Sequence, residues 1–452
     1  MKRWIMIVAA AMLLLCLLCV FAGAEEETLF PARGEDELWG YINIRGEWII
    51  KPQYESAFDY SSGGYALANS PSDGDSWGII DRQGNWIVEP RYWFDDPYFW
   101  GDEFTGALIL FYENEKLPDG SLDWKRIGFF DMESGYFSGM RDDWYIVPRY
   151  TESDLIPVHN LHREDERSER LGYVNRRTGE LTIPFIYGDY ANEPLLFHNG
   201  VAQVYYPDEY DSDGDPLVFL IDEQGNRITL EEGLQLVYGA NTACDRVLVK
   251  DTASGLYGYT DTHGMLVIPA IYSGASEFQE GRARVWISGN EVGLIDTDGN
   301  MIVTSDQFDF IFDGFEHGYA PIMYNDEKKA WLSRDGRIIE KDPYCSRPVQ
   351  ENRFWVKEDS KSNYWHLEDD DGHLLSLDYE LDIVNEFYFF SDGFVCVRNK
   401  EGLYGYLDEN GQEVIPCQWD DVRSFHHGLA CVVKNGKMAY INRQGKTIWQ
   451  EQ

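Results

Sequence analysis

Eleven glycines recur along this 452-residue chain, and the residues around them recur with them: Gly46, Gly84, Gly135, Gly179, Gly225, Gly264, Gly299, Gly336, Gly372, Gly411 and Gly445. Neighbouring glycines are 34 to 46 residues apart, except for one step of 51 between Gly84 and Gly135. A period of this size is the mark of one supersecondary unit copied in tandem. The clearest copy is YGYLDENGQEVIP at 404–416. Read alone, its acidic pair and Asn-Gly step suggest a metal loop. Read against its relatives, it is a hairpin.

Each unit has the same parts. A second Gly, usually after a large apolar residue, precedes the turn glycine by six residues, or by seven where the loop is longer, as in Trp39-Gly40, Trp77-Gly78, Leu171-Gly172, Tyr257-Gly258 and Tyr404-Gly405. Phe219, Ala330, His366 and Ala439 replace that Gly in weaker units. Asp or Asn then stands three before the turn glycine, as Asn43, Asp81, Asp222, Asp261, Asp296, Asp369, Asp408 and Asn442. Asp-x-x-Gly is the signature of a type I turn closed by a residue of positive φ, where Asp accepts from the turn backbone. Such a turn makes a three-residue hairpin loop with a bulge. The flanks are rich in Ile, Val, Tyr and Trp, which suits strands. An aromatic residue follows eight past the turn glycine in Tyr54, Tyr92, Tyr187, Tyr272 and Trp419. The nearby Pro slips by one position between units and the ring does not, so the ring is the packed element. A Gly-x-Ala step opens a further strand at Gly64, Gly200, Gly281, Gly318 and Gly428. Each unit therefore reads as a three-stranded antiparallel meander with one apolar face. Such a sheet needs its neighbours to bury that face.

Trp-Gly-Tyr-Ile-Asn at 39–43, Trp-Gly-Ile-Ile-Asp at 77–81 and Tyr-Gly-Tyr-Leu-Asp at 404–408, each before an Ile/Val-rich strand, resemble bacterial WG-repeat proteins. The resemblance covers nearly all of 35–452. It implies an all-β fold: tandem three-stranded antiparallel WG-type repeats forming a curved solenoid or a propeller-like array. The family is a repeat architecture of often exported proteins without a general activity, so no catalytic residue carries over. The units around Gly135, Gly225, Gly336 and Gly372 depart most from the motif.

Three regions follow. Residues 1–24 read as an export signal: Lys2 and Arg3, an apolar run from Trp4 to Phe21, and Ala22-Gly23-Ala24 for cleavage after Ala24. An uncleaved anchor is the alternative, since the run approaches a membrane span in length. Residues 25–34 read as an N-terminal linker, and 35–452 as about ten to eleven repeats. The sequence shows no amphipathic helix after the leader. Polar insertions at 69–76, 114–124, 162–170, 206–216 and 359–362 fall at loop positions.

The chain carries 38 basic and 79 acidic residues, a formal charge of −41. That excludes sequence-independent binding to nucleic acid, which needs Lys and Arg against phosphate. It also disfavours docking on anionic lipid, so membrane contact is expected only through an uncleaved leader. Such acidity attracts cations or basic partners. Five cysteines follow the leader, Cys244, Cys345, Cys396, Cys417 and Cys431, with no CxxC pair. Cys396 and Cys431 stand at matching positions of neighbouring units, where a disulfide is the alternative to coincidence.

No catalytic, cofactor-binding or metal-ligating residue is assigned, and no cofactor is expected. Asp211-Ser212-Asp213-Gly214-Asp215 has the alternating carboxylates that Ca²⁺ takes, but Pro216 and Asp222 depart from an EF-hand loop, and it reads as an acidic loop tip. The acidic runs at 296–298 and 369–371 fall on the hairpin turn. His426 and His427 invite a catalytic role. Yet the residue before the Gly-x-Ala step is His427, His317, Asn199, Glu280 or Asp392, a polar turn position. Trp48 and Trp86 are read as packing between units, with stacking on sugar as the alternative. The expected function is an exported, non-enzymatic binding or scaffold protein, localised outside the cytoplasm, holding a protein or a cell-envelope glycan. The alternative is a glycan-acting hydrolase using paired carboxylates.

Overall fold

The computed structural model describes residues 27–71, 76–94, 108–116, 122–146, 153–160, 170–188, 196–210, 216–237, 239, 242–288, 291–304, 310–312, 314–324, 328–381 and 389–452. The leader read at 1–24 lies outside them. The described chain is all-β, built from small antiparallel sheets whose strands pair in chain order. Its helical content is a three-residue 3-10 turn at Ala243–Asp245. Among the described residues, no helix is long and apolar enough to cross a membrane.

Every one of the eleven turn glycines has positive φ, between 70° and 86°. In the unit of 404–416, Gly411 donates its N–H to the Asp408 carbonyl at 2.9 Å. The Asp408 carboxylate accepts from the amides of Asn410 and Gln412. Glu409 and Asn410 lend the turn no side chain, so their identities are free.

A unit consists of an entry strand, a middle strand bearing the Trp-Gly motif, and a closing strand after the turn. In the first unit these are Leu29–Arg33, Trp39–Asn43 and Trp48–Tyr54. Leu29–Arg33 lies inside the stretch read as linker. It is a strand because Phe30 and Ala32 bury against the apolar residues of another unit. Most units also have a short lead strand before the entry strand, such as Ser56–Ala57, Gly274–Ala275 and Asp421–Val422, which makes four-stranded sheets. Two-residue strands carry no periodicity to read. Lead and entry strands meet in two-residue turns with both residues at positive φ: Asn199-Gly200, Glu280-Gly281, His317-Gly318, Asp392-Gly393 and His427-Gly428. This is the type I′ hairpin, whose twist suits adjoining strands.

The glycine of the Trp-Gly motif has a steric reason. At Gly40 and Gly405 a Cβ would meet the carbonyl oxygens of Ile50 and Ile415 at 2.4 and 2.6 Å. The closing strand bulges directly over this residue, seen as a register shift between Trp39 and Tyr41 and between Tyr404 and Tyr406.

Cores form between units as well as within them. Tyr406, Ile415, Val422, Phe425, Val432 and Ile441 join units ten and eleven, all nearly or fully buried. Burying each such side chain contributes roughly 1.5–3 kcal/mol. The tyrosine five before the turn glycine spans the junction. Tyr41, Tyr259 and Tyr406 donate to the carbonyls of Phe58, Ser276 and Arg423 in the next unit at 2.8, 2.6 and 2.7 Å. In several units the turn glycine rests on the closing strand of the unit before. Gly84 sits against Ile50, Gly299 against Ile268 and Gly445 against Ile415.

The same contacts recur between the last unit and the first. Tyr440 donates to the Pro31 carbonyl at 2.9 Å. A Cβ on Gly46 would meet the Ile448 carbonyl at 2.6 Å. Phe30, Ala32 and Ile42 share a buried cluster with Leu429, Cys431 and Tyr440.

Candidate functional site

Two features distinguish parts of this array from a uniform repeat. The first is the end that bears the insertions. Arginines at or just before the start of entry strands reach the hairpin turn of the next unit. Arg246, Arg282 and Arg353 donate Nε to the carbonyls of Thr297, Arg334 and Glu409 at 2.7, 2.7 and 2.9 Å. Both kinds of turn are thus gathered at one end of the sheets. The connections from entry to middle strand leave the sheets at the other end, and of the insertions read from sequence 114–116, 122–124 and 206–210 are themselves strand. Pairing brackets the connections at Asn69↔Trp77, Lys116↔Leu122, His159↔Leu171, Tyr210↔Pro216 and Val356↔His366.

The second is unit nine, whose entry and middle strands are Arg353–Val356 and Tyr364–Glu368. Here His366 replaces the motif glycine. The chain after the turn leaves room for it: Leu377 is 74% exposed, and pairing resumes only at Trp365↔Tyr379. His366 Nε2 lies 2.9 Å from Glu368 Oε1, and Nδ1 lies 3.3 Å from Asp378 Oδ1. The other Glu368 oxygen takes the Lys341 ammonium. Burial alone would raise the Glu368 carboxyl; hydrogen bonds from Lys341 and His366 hold it below the ordinary glutamate value. Gly372 faces Lys341 and Glu368, where Gly225, Gly299 and Gly445 face isoleucine. A cleft of about 440 Å³ opens beside this network, lined by Lys341, Glu368, Cys345 and Asp371 among others. Burial and the nearby Asp342 push the Cys345 thiol up. The sequence carried one signal for this site, the glycine-to-histidine exchange, which reads there only as a weak unit.

The residues weighed from sequence fall as follows. His427 is the first residue of its type I′ turn, φ 49°. His426 forms the bridge with Leu429 that closes it. Trp86 packs edge-on against Tyr54 of the preceding unit at 5.6 Å, and Trp48 against Trp449 at 5.8 Å, so both rings lie between units. Cys396 joins the core between units ten and eleven, while Cys431 joins the one between eleven and one, so the two thiols serve different junctions. All five described cysteines are free thiols. The stretch 211–215 lies outside the described residues. Asp369, Asp371 and His373 bring ligand atoms within 4.8 Å of one another. Yet His373 Nδ1 at 2.8 Å from Asp369 Oδ2 only repeats the bond that Asn85 and Asn300 make to Asp81 and Asp296 in their turns. The geometry belongs to the hairpin.

The fold and these turns define a tandem β-repeat protein. The family described as WG containing repeat matches residues 39–69, 77–92, 257–289, 293–327 and 404–437, and the chain is a WG-repeat protein. No curated protein matches its sequence. Solved structures similar to it include a eukaryotic initiation factor, at 11% identity and TM-score 0.36 over 79% of this chain and 97% of that one. The computationally designed Ika8 protein is similar at 9% identity and TM-score 0.29, over 76% and 93%. BamB from Moraxella catarrhalis is similar at 12% identity and TM-score 0.28, over 76% and 92%. These likenesses bear on neither the curvature nor the activity of this chain.

Proposed function

We propose that the repeats close into a propeller-like ring, and that the protein is an exported, non-enzymatic binding or scaffold protein for a protein or cell-envelope glycan. Ring closure is supported by the tyrosine bond and glycine contact that recur between units eleven and one. The observation that carries the function is the placement of the insertions. All five join entry to middle strands and so share the end opposite the structural turns. In repeat proteins, insertions confined to one face often mark the binding face. A rigid array presents such loops with little loss of order on binding.

The test replaces 69–76, 114–124 and 206–216, singly and together, by two-residue Asn-Gly turns. Binding of residues 25–452 to purified cell-wall glycan and to envelope protein fractions is then measured. Loss of binding in variants that unfold like the parent supports the reading. Undiminished binding in the triple variant overturns it.

A further inference from the structure

We propose that His366 is a proton-operated latch that fastens the strap 375–378 of unit nine to its sheet. The proposal is independent of the binding role of the loop end.

The geometry is specific. The strap follows the turn glycine Gly372 and rejoins the sheet at Tyr379. Its backbone is tied to the middle strand by the amides of Leu375 and Ser376, both donating to the Leu367 carbonyl at 2.8 and 3.3 Å. Beyond them, Leu377 and Asp378 are exposed. The Asp378 side chain meets His366 Nδ1. The other ring nitrogen faces Glu368 of the middle strand. Imidazolium offers a donor to each carboxylate, whereas neutral imidazole offers one donor in all. Only the protonated ring therefore joins strap to strand by charge on both sides, hydrogen-bonded to Glu368 and ion-paired with Asp378.

The surrounding charges favour this role. On the middle strand the facing group is Glu368, and on the strap it is Asp378. The preceding unit contributes Lys341, which reaches the far oxygen of Glu368 and not the ring. The entry strand sets Val356 beside His366. The next residue, Lys357, holds its ammonium over Trp365 at 4.6 Å. No cation thus competes with the proton for the two oxygens that face the ring. In the units with Gly at this position, no side chain exists to do the same.

The strap should tighten on acidification, as the ring takes up its proton. It should loosen again once the two carboxylates are themselves protonated. Hydrogen exchange of Leu375 and Ser376, corrected for intrinsic rates, tests this in the full chain at pH 5.5 and 8. Roughly twofold to fivefold stronger protection at pH 5.5 is expected, the effect of one exposed ion pair. His366→Gln and Asp378→Asn should each abolish the difference, and His373→Gln, on the exposed turn beside it, should leave it intact. Wild-type exchange equal at the two pH values overturns the proposal. So does a difference that survives in His366→Gln or disappears in His373→Gln. The amides of Asn410 and Gln412 in the next unit serve as the reference for folding.

Discussion

Tyr440 gives its phenolic hydrogen to the carbonyl of Pro31, 409 positions earlier in the chain, at 2.9 Å. The bond is buried, and burial pushes the Tyr440 phenol well above its ordinary value. Tyr406 makes the same bond to Arg423 between consecutive units. The first and last units are therefore held as sequence neighbours are, although unit one has no described lead strand for Tyr440 to grip. Pro31 in the entry strand takes that place.

Tyr440→Phe and Tyr406→Phe should lower stability by similar amounts, about 1 kcal/mol each, the usual net worth of one hydrogen bond. Chemical unfolding of both variants checks this. A negligible effect at Tyr440 beside a full effect at Tyr406 would show that the terminal junction is open in solution.

The terminal junction also carries an ion pair with a pH signature. Arg33 reaches both oxygens of Glu451 at 2.8 and 3.1 Å. Burial raises the Glu451 carboxyl, but hydrogen bonds from Arg33 and the Met438 amide outweigh it and hold it below the ordinary 4.5. A carboxyl depressed in the folded state contributes stability above its unfolded value and loses it as pH falls through the folded one. Glu451→Gln should thus be less stable than the parent at pH 7, by about 1 kcal/mol for a part-buried pair. The difference should shrink as pH falls below the ordinary 4.5 and through the lowered folded value. Thermal unfolding of both across pH 3–8 is the measurement.

The motif glycine gives a reciprocal pair. Gly405→Ala drives a methyl to 2.6 Å from the Ile415 carbonyl and should cost about 1–3 kcal/mol as overpacking. Ala439 holds the same place in unit eleven, where the closing strand pairs with it directly, Ala439↔Gln450, instead of bulging over it. Ala439→Gly should cost only about 0.5–1 kcal/mol, from backbone entropy. Unfolding midpoints in denaturant compare the two.

These contrasts show which parts of the fold are written locally. The turns were legible because Asp408 and Gly411 lie three residues apart and each has one job. The polar residue before Gly-x-Ala was legible as a turn position, and its positive φ explains why His, Asn, Asp and Glu interchange at 427, 199, 392 and 280. The lead strands were not legible, since Ser56–Ala57 or Gly274–Ala275 holds two residues and forms only against a partner. Contact between Pro31 and Tyr440 has no local trace at all. The network at His366 depends on a departure of the closing chain that its own sequence does not announce.

The strongest single effect is expected at Arg176. Its guanidinium is buried and lies 2.8 Å from Asp131, whose side chain is fully buried. Asp131 also anchors its turn, accepting the amides of Glu133 and Ser134 at 2.9 and 2.8 Å. Arg176→Ala leaves that carboxylate buried without its counter-charge, at a cost of about 3–5 kcal/mol. The remedy is suggested by the repeat itself. Asn175 occupies the same place in its own turn, four before Gly179, and accepts the corresponding amides of Arg177 and Thr178 through a neutral oxygen. Asp131→Asn added to Arg176→Ala should therefore recover a large part of the loss, because it removes the stranded charge and keeps the turn acceptor. A double-mutant cycle by urea unfolding measures this. A double variant no more stable than Arg176→Ala would mean that packing of the arginine stem, and not its charge, holds units three and four together.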